Sequence, residues 1–386
     1  MSLSVKVIET FKSGKFVLSN KYDENLIGRL LVRVKTLYAS FDKIPILPQF
    51  AGVLEEELIK RSIFGTAALE GNPLSEEEVG NIVSGDNKAT GIPLKNPEIE
   101  IRNLKNAYQM IKNFSVAEEG AINVAEEDIK NIHRVVTLDT VDDDNIPGSY
   151  RNHKVFVGDK AHGGVYIPPK CLDDVKNIMS EFLLWINSGE IKNDDPLIRA
   201  ALMHYYLLLI HPFGNGNGRT ARIAEAMLLK STGIRYFASV MLSNYYYSNI
   251  DSYFSAFSLA EKNRNEDITP FLEFCLQGMV KSCQELQSRV FAGIRNLALR
   301  DYYRFLNKNR ELLQRQCELL LLLLQINKKF TLNDLMTNDL FQPIYKEKTE
   351  RTVRRDIEQL VRKNLIQLDS EGKYGLNINV LDFSSR

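Results

Sequence analysis

The chain has 386 residues, of which 44% are hydrophobic and 25% charged, and its 49 Lys and Arg balance its 49 Asp and Glu. This composition excludes a disordered chain and a uniformly basic nucleic-acid-binding protein, and the length predicts two or three domains. The longest apolar runs, 205–210 and 319–324, are far shorter than the roughly 20 residues that span a bilayer, so we expect no membrane contact. The N-terminus lacks an apolar signal core and no cysteines form a CxxC pair, which favours the cytoplasm.

Helical patterns dominate the first part of the chain. A mostly helical segment runs from Asp42 to Gly71 after the extended stretch 45–48, and Gly71-Asn72-Pro73 ends it because Gly and Pro interrupt helices. Ser75 is a typical N-cap for a new helix whose first turn is acidic, which suits the helix dipole. Helical spacing also covers Pro97–Phe114.

A β-prone region lies between Pro147 and Pro169. The runs 155–157 and 165–167 favour short strands, and Gly163-Gly164 lies between them. We therefore predict a β-hairpin from Lys154 to Tyr166 within a helical protein. Helical spacing resumes from Leu172, from Pro196 to Ile210 and from Gly218 to Gly233.

After residue 285 the chain becomes richer in Leu and charged residues. Three helices are predicted at 318–328, 332–338 and 350–363, and a strand, a Gly turn and a second strand follow at 365–376. This is the element order of a winged helix-turn-helix domain.

The most informative stretch is His211-Pro212-Phe213-Gly214-Asn215-Gly216-Asn217-Gly218-Arg219-Thr220-Ala221-Arg222, between two predicted helices. Gly216 and Gly218 permit positive φ, so neighbouring N–H groups can point at one anion, and the next helix N-terminus adds positive charge. Arg219 and Arg222 share one face of the first turn and can donate to phosphate oxygens. We predict a phosphate-binding loop with His211 at its mouth, where a neutral imidazole can take a proton from a hydroxyl.

This stretch matches every defined position of HPFx(D/N)GNGRxxR and resembles the Fic family. The resemblance implies transfer of AMP from the co-substrate ATP, with Mg²⁺, to a Ser, Thr or Tyr hydroxyl of a protein, self-modification included. It implies that His211 is the general base and that Phe213 anchors the loop. The implied ATP contacts are Asn215, Gly216, Asn217, Gly218, Arg219, Thr220, Ala221 and Arg222, with Asn249 and Tyr253 on the adenosine side.

One loop position departs from the common family pattern. The family commonly has Asp where this chain has Asn215, and that Asp helps to orient Mg²⁺. An amide oxygen is a weaker, neutral ligand. Asn215 is therefore expected to be a weak Mg²⁺ ligand, with most of the coordination coming from ATP.

An upstream segment, 66–71, matches the (S/T)xxxE(G/N) inhibitory motif of autoinhibited Fic proteins. A Glu near a helix C-terminus is disfavoured by the helix dipole, so Glu70 has no obvious structural role. The family precedent implies that Glu70 pairs with Arg222 and removes a donor that the γ-phosphate needs. Inhibition would then act within one chain.

Further stretches extend the resemblance in family order, at 148–151, 166–169 and 267–271. The predicted hairpin corresponds to the Fic flap, which pairs with an extended target segment. Its target-positioning residues would be Val155, Phe156, Val157, Val165 and Tyr166. His204 is more typical of a core histidine, and His133, His153 and His162 are solitary, so no zinc site is predicted.

The C-terminal segment 345–363 has seven Lys or Arg against four acidic residues, and 349–357 resembles the recognition helix of winged helix repressors. Arg351, Arg354 and Arg355 can reach DNA phosphates or bases. Winged helices also contact proteins, so DNA binding and a structural or partner role stay equal alternatives.

The sequence leaves three functions open. The first is an autoinhibited protein adenylyltransferase. The second is a hydrolase that removes AMP from modified proteins, with Glu70 positioning a water, and the third is a DNA-binding regulator with a nucleotide-sensing Fic domain. A homodimer also stays open.

We expect a mainly α protein with a Fic helical core and a β-hairpin flap. The expected parts are an N-terminal helical region with the inhibitory motif at 1–95, the catalytic domain at 96–285, a linker helix at 286–312 and the winged helix domain at 313–386.

Overall fold

A computed structural model describes residues 5–85, 95–114, 122–142, 144–158, 160–234, 240–263 and 266–382, without the side chains of residues 41 and 42. The described residues are mainly helical, as predicted, and the chain divides into two compact units, 1–287 and 288–386. Within the described ranges, no helix has the length and apolar character needed to cross a bilayer. The four-part organisation expected from the sequence stays a prediction.

The first unit begins with a hairpin that the sequence analysis did not predict. Strands β1 (Val5–Glu9) and β2 (Lys15–Ser19) pair antiparallel, with Val7 opposite Val17. Asp174 holds the connecting turn, since its carboxylate accepts hydrogen bonds from Phe11 N at 2.6 Å and Lys12 N at 3.0 Å. The expected N-terminal helical region therefore starts with a β-structure, which is fixed by a contact far away in the sequence.

The helices of the first unit mostly follow the predicted order. Ser75 caps its helix in a capping box with Glu78, as the pattern suggested. The helix that carries the inhibitory motif starts at Pro48, at the end of the extended stretch 45–48, and 24–42 form a separate helix that the sequence analysis did not predict. The bounds are α1 (Glu24–Asp42), α2 (Pro48–Ala68), α3 (Glu76–Ser84), α4 (Asn96–Asn113), α5 (Glu126–Thr137), α6 (Leu172–Ile186), α7 (Gly189–Lys192), α8 (Pro196–Ile210), α9 (Asn217–Ser231), α10 (Leu242–Ser248) and α11 (Ile250–Glu261).

The core of the first unit forms around α8 and α9. Nearly every residue of α8 is buried, which suits a helix that is apolar on all sides. Helix α2 packs on α10 at Gly65, where an added Cβ would lie 2.9 Å from the Ser243 carbonyl oxygen. The turn between α8 and α9 contains the stretch predicted to bind phosphate, so the central helices determine its position.

The predicted hairpin at 154–166 is present in reduced form. Val157 and Tyr166 pair antiparallel, with N–H to carbonyl distances of 3.0 and 2.8 Å. The neighbouring Phe156 and Val165 are exposed and belong to no strand. The two β-prone runs thus meet at one bridge, and among the described residues neither run has a further strand beside it.

Helix α12 (Thr269–Lys308) contains the boundary between the units. The second unit then has α13 (Gln314–Ile326), α14 (Leu332–Thr337), α15 (Gln342–Tyr345) and α16 (Glu350–Arg362), followed by strands β3 (Ile366–Leu368) and β4 (Tyr374–Leu376). The two strands are antiparallel, and Phe330 forms a bridge to Tyr374.

The second unit has its own core, to which α16 contributes Val353, Ile357 and Leu360. Asp356 is also fully buried there and accepts two hydrogen bonds from Arg315, at 2.5 and 3.0 Å. The order of helices and hairpin is the predicted one, with α15 as an additional short helix. The winged helix assignment itself stays a prediction.

Candidate active site

His211 ends α8 in the left-handed conformation, with φ 48° and ψ 59°. This conformation costs a residue with a side chain roughly 1 kcal/mol, so the surrounding contacts must hold it. Its Nδ1 lies 3.3 Å from Leu208 O. Because a carbonyl oxygen only accepts, Nδ1 carries the proton and Nε2 presents its lone pair.

The protonation state of His211 also suits a base. Burial lowers its pKa to about 4, and the charge of Arg151 acts in the same direction. The Leu208 hydrogen bond and the charge of Glu70 oppose this shift but do not outweigh it. The imidazole is therefore neutral at pH 7 and can accept a proton.

Arg151 stabilises the turn that follows His211 by hydrogen bonds. Its Nε donates to His211 O at 2.7 Å, and its backbone N–H donates to Pro212 O at 2.9 Å. Its Nη1 donates to His153 O at 2.6 Å. Burial lowers the pKa of Arg151 to about 10, so the side chain stays charged at neutral pH.

The loop after His211 is closed by one side chain. Asn217 Oδ1 accepts from Phe213 N at 3.0 Å, and Asn217 Nδ2 donates to Phe213 O at 2.9 Å. Gly216 adopts φ 73° and precedes the first residue of α9. The first N–H groups of a helix have no carbonyl partner within it, so this turn directs unpaired donors toward an anion.

Glu70 occupies the space in front of these donors. Its Oε1 lies 2.7 Å from Arg222 Nη2, which also donates to Thr66 O at 3.1 Å. A Cβ added at Gly218 would collide with Glu70 Oε1. The carboxylate is therefore pressed against the N-terminus of α9.

The Glu70 carboxyl is ionised at neutral pH. Burial acts to raise its pKa, but the charges of Arg222 and Arg219 and the Arg222 hydrogen bond outweigh burial and lower it. Its backbone leaves α2 in a tight turn, in which Gly71 has φ 81°. The site thus binds an anionic group of its own chain.

Arg219 is also paired with an acid. The side chain is 2% exposed, and its Nη1 lies 3.0 Å from Glu100 Oε1 on α4. Its Nη2 donates to Asn215 Oδ1 at 3.2 Å. Both arginines of the motif are therefore held by carboxylates from outside the loop.

Asn215 fits poorly as a metal ligand. Its Oδ1 accepts from Gly216 N at 2.6 Å as well as from Arg219, and its Nδ2 donates to Asp142 at 2.7 Å. Across the described ranges no group of His, Cys, Asp and Glu could hold a metal ion. The single neutral oxygen expected to contact Mg²⁺ is already shared by two N–H donors.

His133, which the sequence analysis treated as solitary, lies against the loop. Its imidazole is fully buried and stacks on the ring of Phe213. Its Nε2 lies 2.9 Å from Asn215 O, and its Nδ1 accepts from Gly148 N at 2.9 Å. Burial lowers its pKa to about 4, so the ring is neutral. No local pattern marks this residue, because its partner is 82 positions away.

The residues expected on the adenosine side are mostly turned inward. Tyr253 is 2% exposed, and its hydroxyl lies 2.9 Å from Nε2 of the buried His204. Asn249 Nδ2 donates to Tyr245 O at 2.9 Å at the junction of α10 and α11. Tyr253 nevertheless lies close to Arg222: burial raises the pKa of its hydroxyl, and the charge of Arg222 acts in the opposite direction.

Other expected site residues differ in accessibility. Thr220 and Ala221 are buried in α9, so their side chains face the core. In the flap, Val155, Val157 and Tyr166 are half-buried, whereas Phe156 and Val165 are exposed. His162 Nε2 lies 3.0 Å from Asp251, which joins the flap tip to α11. In the second unit, Arg351, Arg354 and Arg355 are exposed on α16.

Comparison with known proteins gives the same family as the motif. Residues 123–229 match the model of the Fic/DOC family. The chain is 28% identical over 247 residues to "Protein adenylyltransferase Fic" of Drosophila melanogaster, an alignment that covers 63% of this chain and 45% of that protein. It is 27% identical over 195 residues to "Protein adenylyltransferase fic-1" of Caenorhabditis briggsae, covering 47% and 36%. The alignments thus span less than half the length of these curated relatives.

Solved structures share the fold. A Fic family protein from Desulfovibrio desulfuricans G20 superposes with a TM-score of 0.55 at 18% identity, covering 91% of this chain and 96% of that chain. Fic-1 from C. elegans superposes with a TM-score of 0.53 at 22% identity, covering 68% and 72%.

Proposed function

Because the chain carries a Fic/DOC domain, we propose that it is a protein adenylyltransferase that Glu70 holds inactive. The enzyme transfers AMP from ATP to a Ser, Thr or Tyr hydroxyl of a protein and releases pyrophosphate. The contact of the Glu70 carboxylate with Arg222 and Gly218 carries this proposal. It puts a negative charge at the start of α9, where a helix N-terminus would otherwise bind a phosphate.

The proposed reaction needs a base and an anion site. The target hydroxyl attacks the α-phosphorus while Nε2 of His211 takes its proton, and the bond from the α-phosphorus to the bridging oxygen breaks. The leaving pyrophosphate keeps the electron pair of that bond. N–H groups at the start of α9 stabilise the phosphate charge, and Arg219 and Arg222 bind the outer phosphates.

Asn215 is a poor metal ligand here, so Mg²⁺ would be bound mainly through ATP. The proposed adenosine contact of Tyr253 would be made beside Arg222, with the hydroxyl also bonded to the buried His204.

Glu70 inhibits by competing with a nucleotide phosphate for the same binding site. Glu70 and a nucleotide phosphate are both anions, and both need the Arg222 donor and the space over Gly218. The Arg222 side chain is buried, so moving Glu70 away leaves a buried guanidinium without its carboxylate until a phosphate arrives. Nucleotide binding therefore has to overcome the loss of this pair.

The flap supports a protein as the second substrate. Val157 pairs with Tyr166, and the other described residues of 155–167 have no strand neighbour among the described residues. An extended segment can add to such an edge by backbone hydrogen bonds, which gives register with little sequence preference.

Removal of AMP from a modified protein is a second candidate. The observation that favours it is an ionised Glu70 close enough to His211 for each to shift the pKa of the other. Such a carboxylate can orient a water for attack on a phosphodiester. Wild-type protein incubated with an AMP-modified target should then release AMP, and intact label after that incubation would exclude it.

A nucleic-acid contact is the candidate role for the second unit. Arg351, Arg354 and Arg355 are exposed on one side of α16, while Val353, Ile357 and Leu360 face the core. Arginines on an exposed helix face can contact DNA phosphates or base edges. Loss of a gel shift after Arg354→Ala with Arg355→Ala would support a DNA-binding role, and no shift with the unaltered chain would favour a protein contact.

The adenylyltransferase proposal is tested by finding which phosphate of ATP is transferred to protein. A Glu70→Gly variant is incubated with Mg²⁺ and ATP labelled either at the α- or at the γ-phosphate, alone and with a cell lysate. AMP transfer places only the α-label on protein. Label from the γ-position would instead indicate a phosphotransferase, and the absence of both labels would refute transfer.

A further inference from the structure

The segment that follows Glu70 makes a second contact with the site. Asn72 lies two residues after Glu70, and its Nδ2 donates to Glu100 Oε2 at 2.8 Å and to Pro97 O at 3.0 Å. Glu100 Oε1 in turn lies 3.0 Å from Arg219 Nη1. Segment 70–72 therefore reaches both motif arginines, Arg222 directly and Arg219 through Glu100.

The surroundings of Asn72 fix the direction of its amide. Its Oδ1 accepts from Leu74 N at 3.2 Å, and its backbone N–H donates to Ala67 O at 3.1 Å. With Oδ1 facing a donor, Nδ2 faces the two acceptors Glu100 and Pro97. The side-chain amide thus satisfies three polar groups in one arrangement, and an acid at this position would face two acceptors without a proton to share.

From this geometry we propose that Asn72 and Glu100 form a latch that keeps Glu70 on Arg222. The proposal rests on the proposed function and adds to it the residues that hold the inhibitory segment. Glu100 is the positioning residue for Arg219, and Asn72 connects that contact to the inhibitory segment. Loss of the contact at either arginine then weakens the contact at the other, because segment 70–72 makes both contacts.

The test uses a substitution that changes charge and leaves size unchanged. Asn72→Asp puts a carboxylate beside Glu100 and Pro97 O, while the Leu74 contact can persist. Repulsion between the two carboxylates should raise the population in which segment 70–72 has moved away from Arg222 by about tenfold. This factor corresponds to roughly 1.4 kcal/mol. ATP affinity, measured by calorimetry with Mg²⁺ present, should rise by about that factor with Glu70 intact, and so should label transfer from α-labelled ATP.

A second substitution tests whether Glu100 is the partner. In the Asn72→Asp/Glu100→Gln double variant, an amide can donate to the new carboxylate and still present its oxygen to Arg219. ATP affinity and label transfer should return to the wild-type values. Asn96→Asp is the matched control, since Asn96 is exposed at the start of α4 and bonds only the backbone of Val141 in the described structure. It should behave as the wild type.

Failure of the latch and failure of the proposed function give different results. The latch is wrong if Asn72→Asp binds ATP no more tightly than the wild type, or if the double variant keeps the raised affinity. Absence of label from Glu70→Gly together with tighter ATP binding by Asn72→Asp would refute the transferase and support the latch. A drop in melting temperature without a gain in affinity would mean that Asn72 is only structural, which also overturns the proposal.

Discussion

The imidazole of His133 and the ring of Phe213 stack face to face, with their centroids 3.7 Å apart and their planes 3° from parallel. The same imidazole lies 2.9 Å from Asn215 O, so one side chain from α5 contacts both the Phe213 ring and the backbone of the loop between α8 and α9. A residue outside the motif therefore stabilises the loop through these two contacts.

Replacement of His133 by Ala should destabilise the first unit. The change removes a buried ring, opens a cavity beside Phe213 and leaves Gly148 N and Asn215 O without their partner. We expect a loss of about 3 kcal/mol in the free energy of unfolding by denaturant. His162→Ala, at the flap tip, should change it by well under 1 kcal/mol, and an equal effect of the two would contradict the structural role of His133.

The stability of the protein should fall in mild acid. Burial lowers the folded-state pKa of His133 and His211 to about 4 each, below the value near 6.5 of an unfolded histidine. A depressed pKa means that the unfolded chain binds protons at a higher pH than the folded chain. The contribution of these histidines to the free energy of unfolding is therefore complete above about pH 6.5 and declines as pH falls toward 4. A His133→Gln variant should show a shallower decline between pH 6.5 and 5, and an unchanged slope would contradict the assigned pKa shift.

The pH dependence of AMP transfer reports on His211. Removal of Glu70 takes away a charge that raises its pKa, so the base in Glu70→Gly stays neutral down to about pH 4. The rate should therefore stay nearly constant from pH 8 to about 5.5. A rate that already falls by half near pH 6.5 would indicate a solvent-exposed histidine.

ATP should stabilise the uninhibited variant more than the wild type. Glu70→Gly leaves the buried guanidinium of Arg222 without its carboxylate, which we expect to cost about 3 kcal/mol. A bound γ-phosphate replaces that partner. Thermal unfolding should show a lower melting temperature for Glu70→Gly and a larger increase on adding Mg²⁺ and ATP, whereas equal increases would contradict competition for Arg222.

The second unit should depend on the charged partner of its buried Asp356 and not on its exposed arginines. Arg315→Ala leaves the buried Asp356 carboxylate without that partner and should cost about 3 kcal/mol in the stability of this unit. Arg354→Ala with Arg355→Ala changes exposed residues and should leave stability within about 0.5 kcal/mol. This pair of variants thus separates folding of the unit from any binding by α16. A comparable loss of stability in both would contradict the burial assigned to α16.

Local patterns predicted the parts of the site that are contiguous in sequence. The glycines of 214–218, the helix after them and the break at Gly71 all have strong local signals, and the structure has each of them. The hairpin at 5–19 escaped prediction because its turn is fixed by Asp174, more than 160 residues away.

Contacts between distant segments account for the remaining differences. His133 and Glu100 each lie on a helix whose sequence gives no sign of a partner in the loop, although both touch it. The nucleotide contact of Tyr253 stays a prediction, and the bond of its hydroxyl to the buried His204 is a further contact that the sequence did not indicate. Such pairs become visible only when the helices are packed together.

The central claim is that His211 is the base of a transfer reaction that Glu70 restrains. The most direct test compares wild type, Glu70→Gly and Glu70→Gly/His211→Ala in α-labelled ATP with Mg²⁺, and measures label on the protein and on a lysate. We predict little label with the wild type, strong label with Glu70→Gly and none with the double variant. Equal labelling by wild type and Glu70→Gly, or label that persists without His211, would contradict the account.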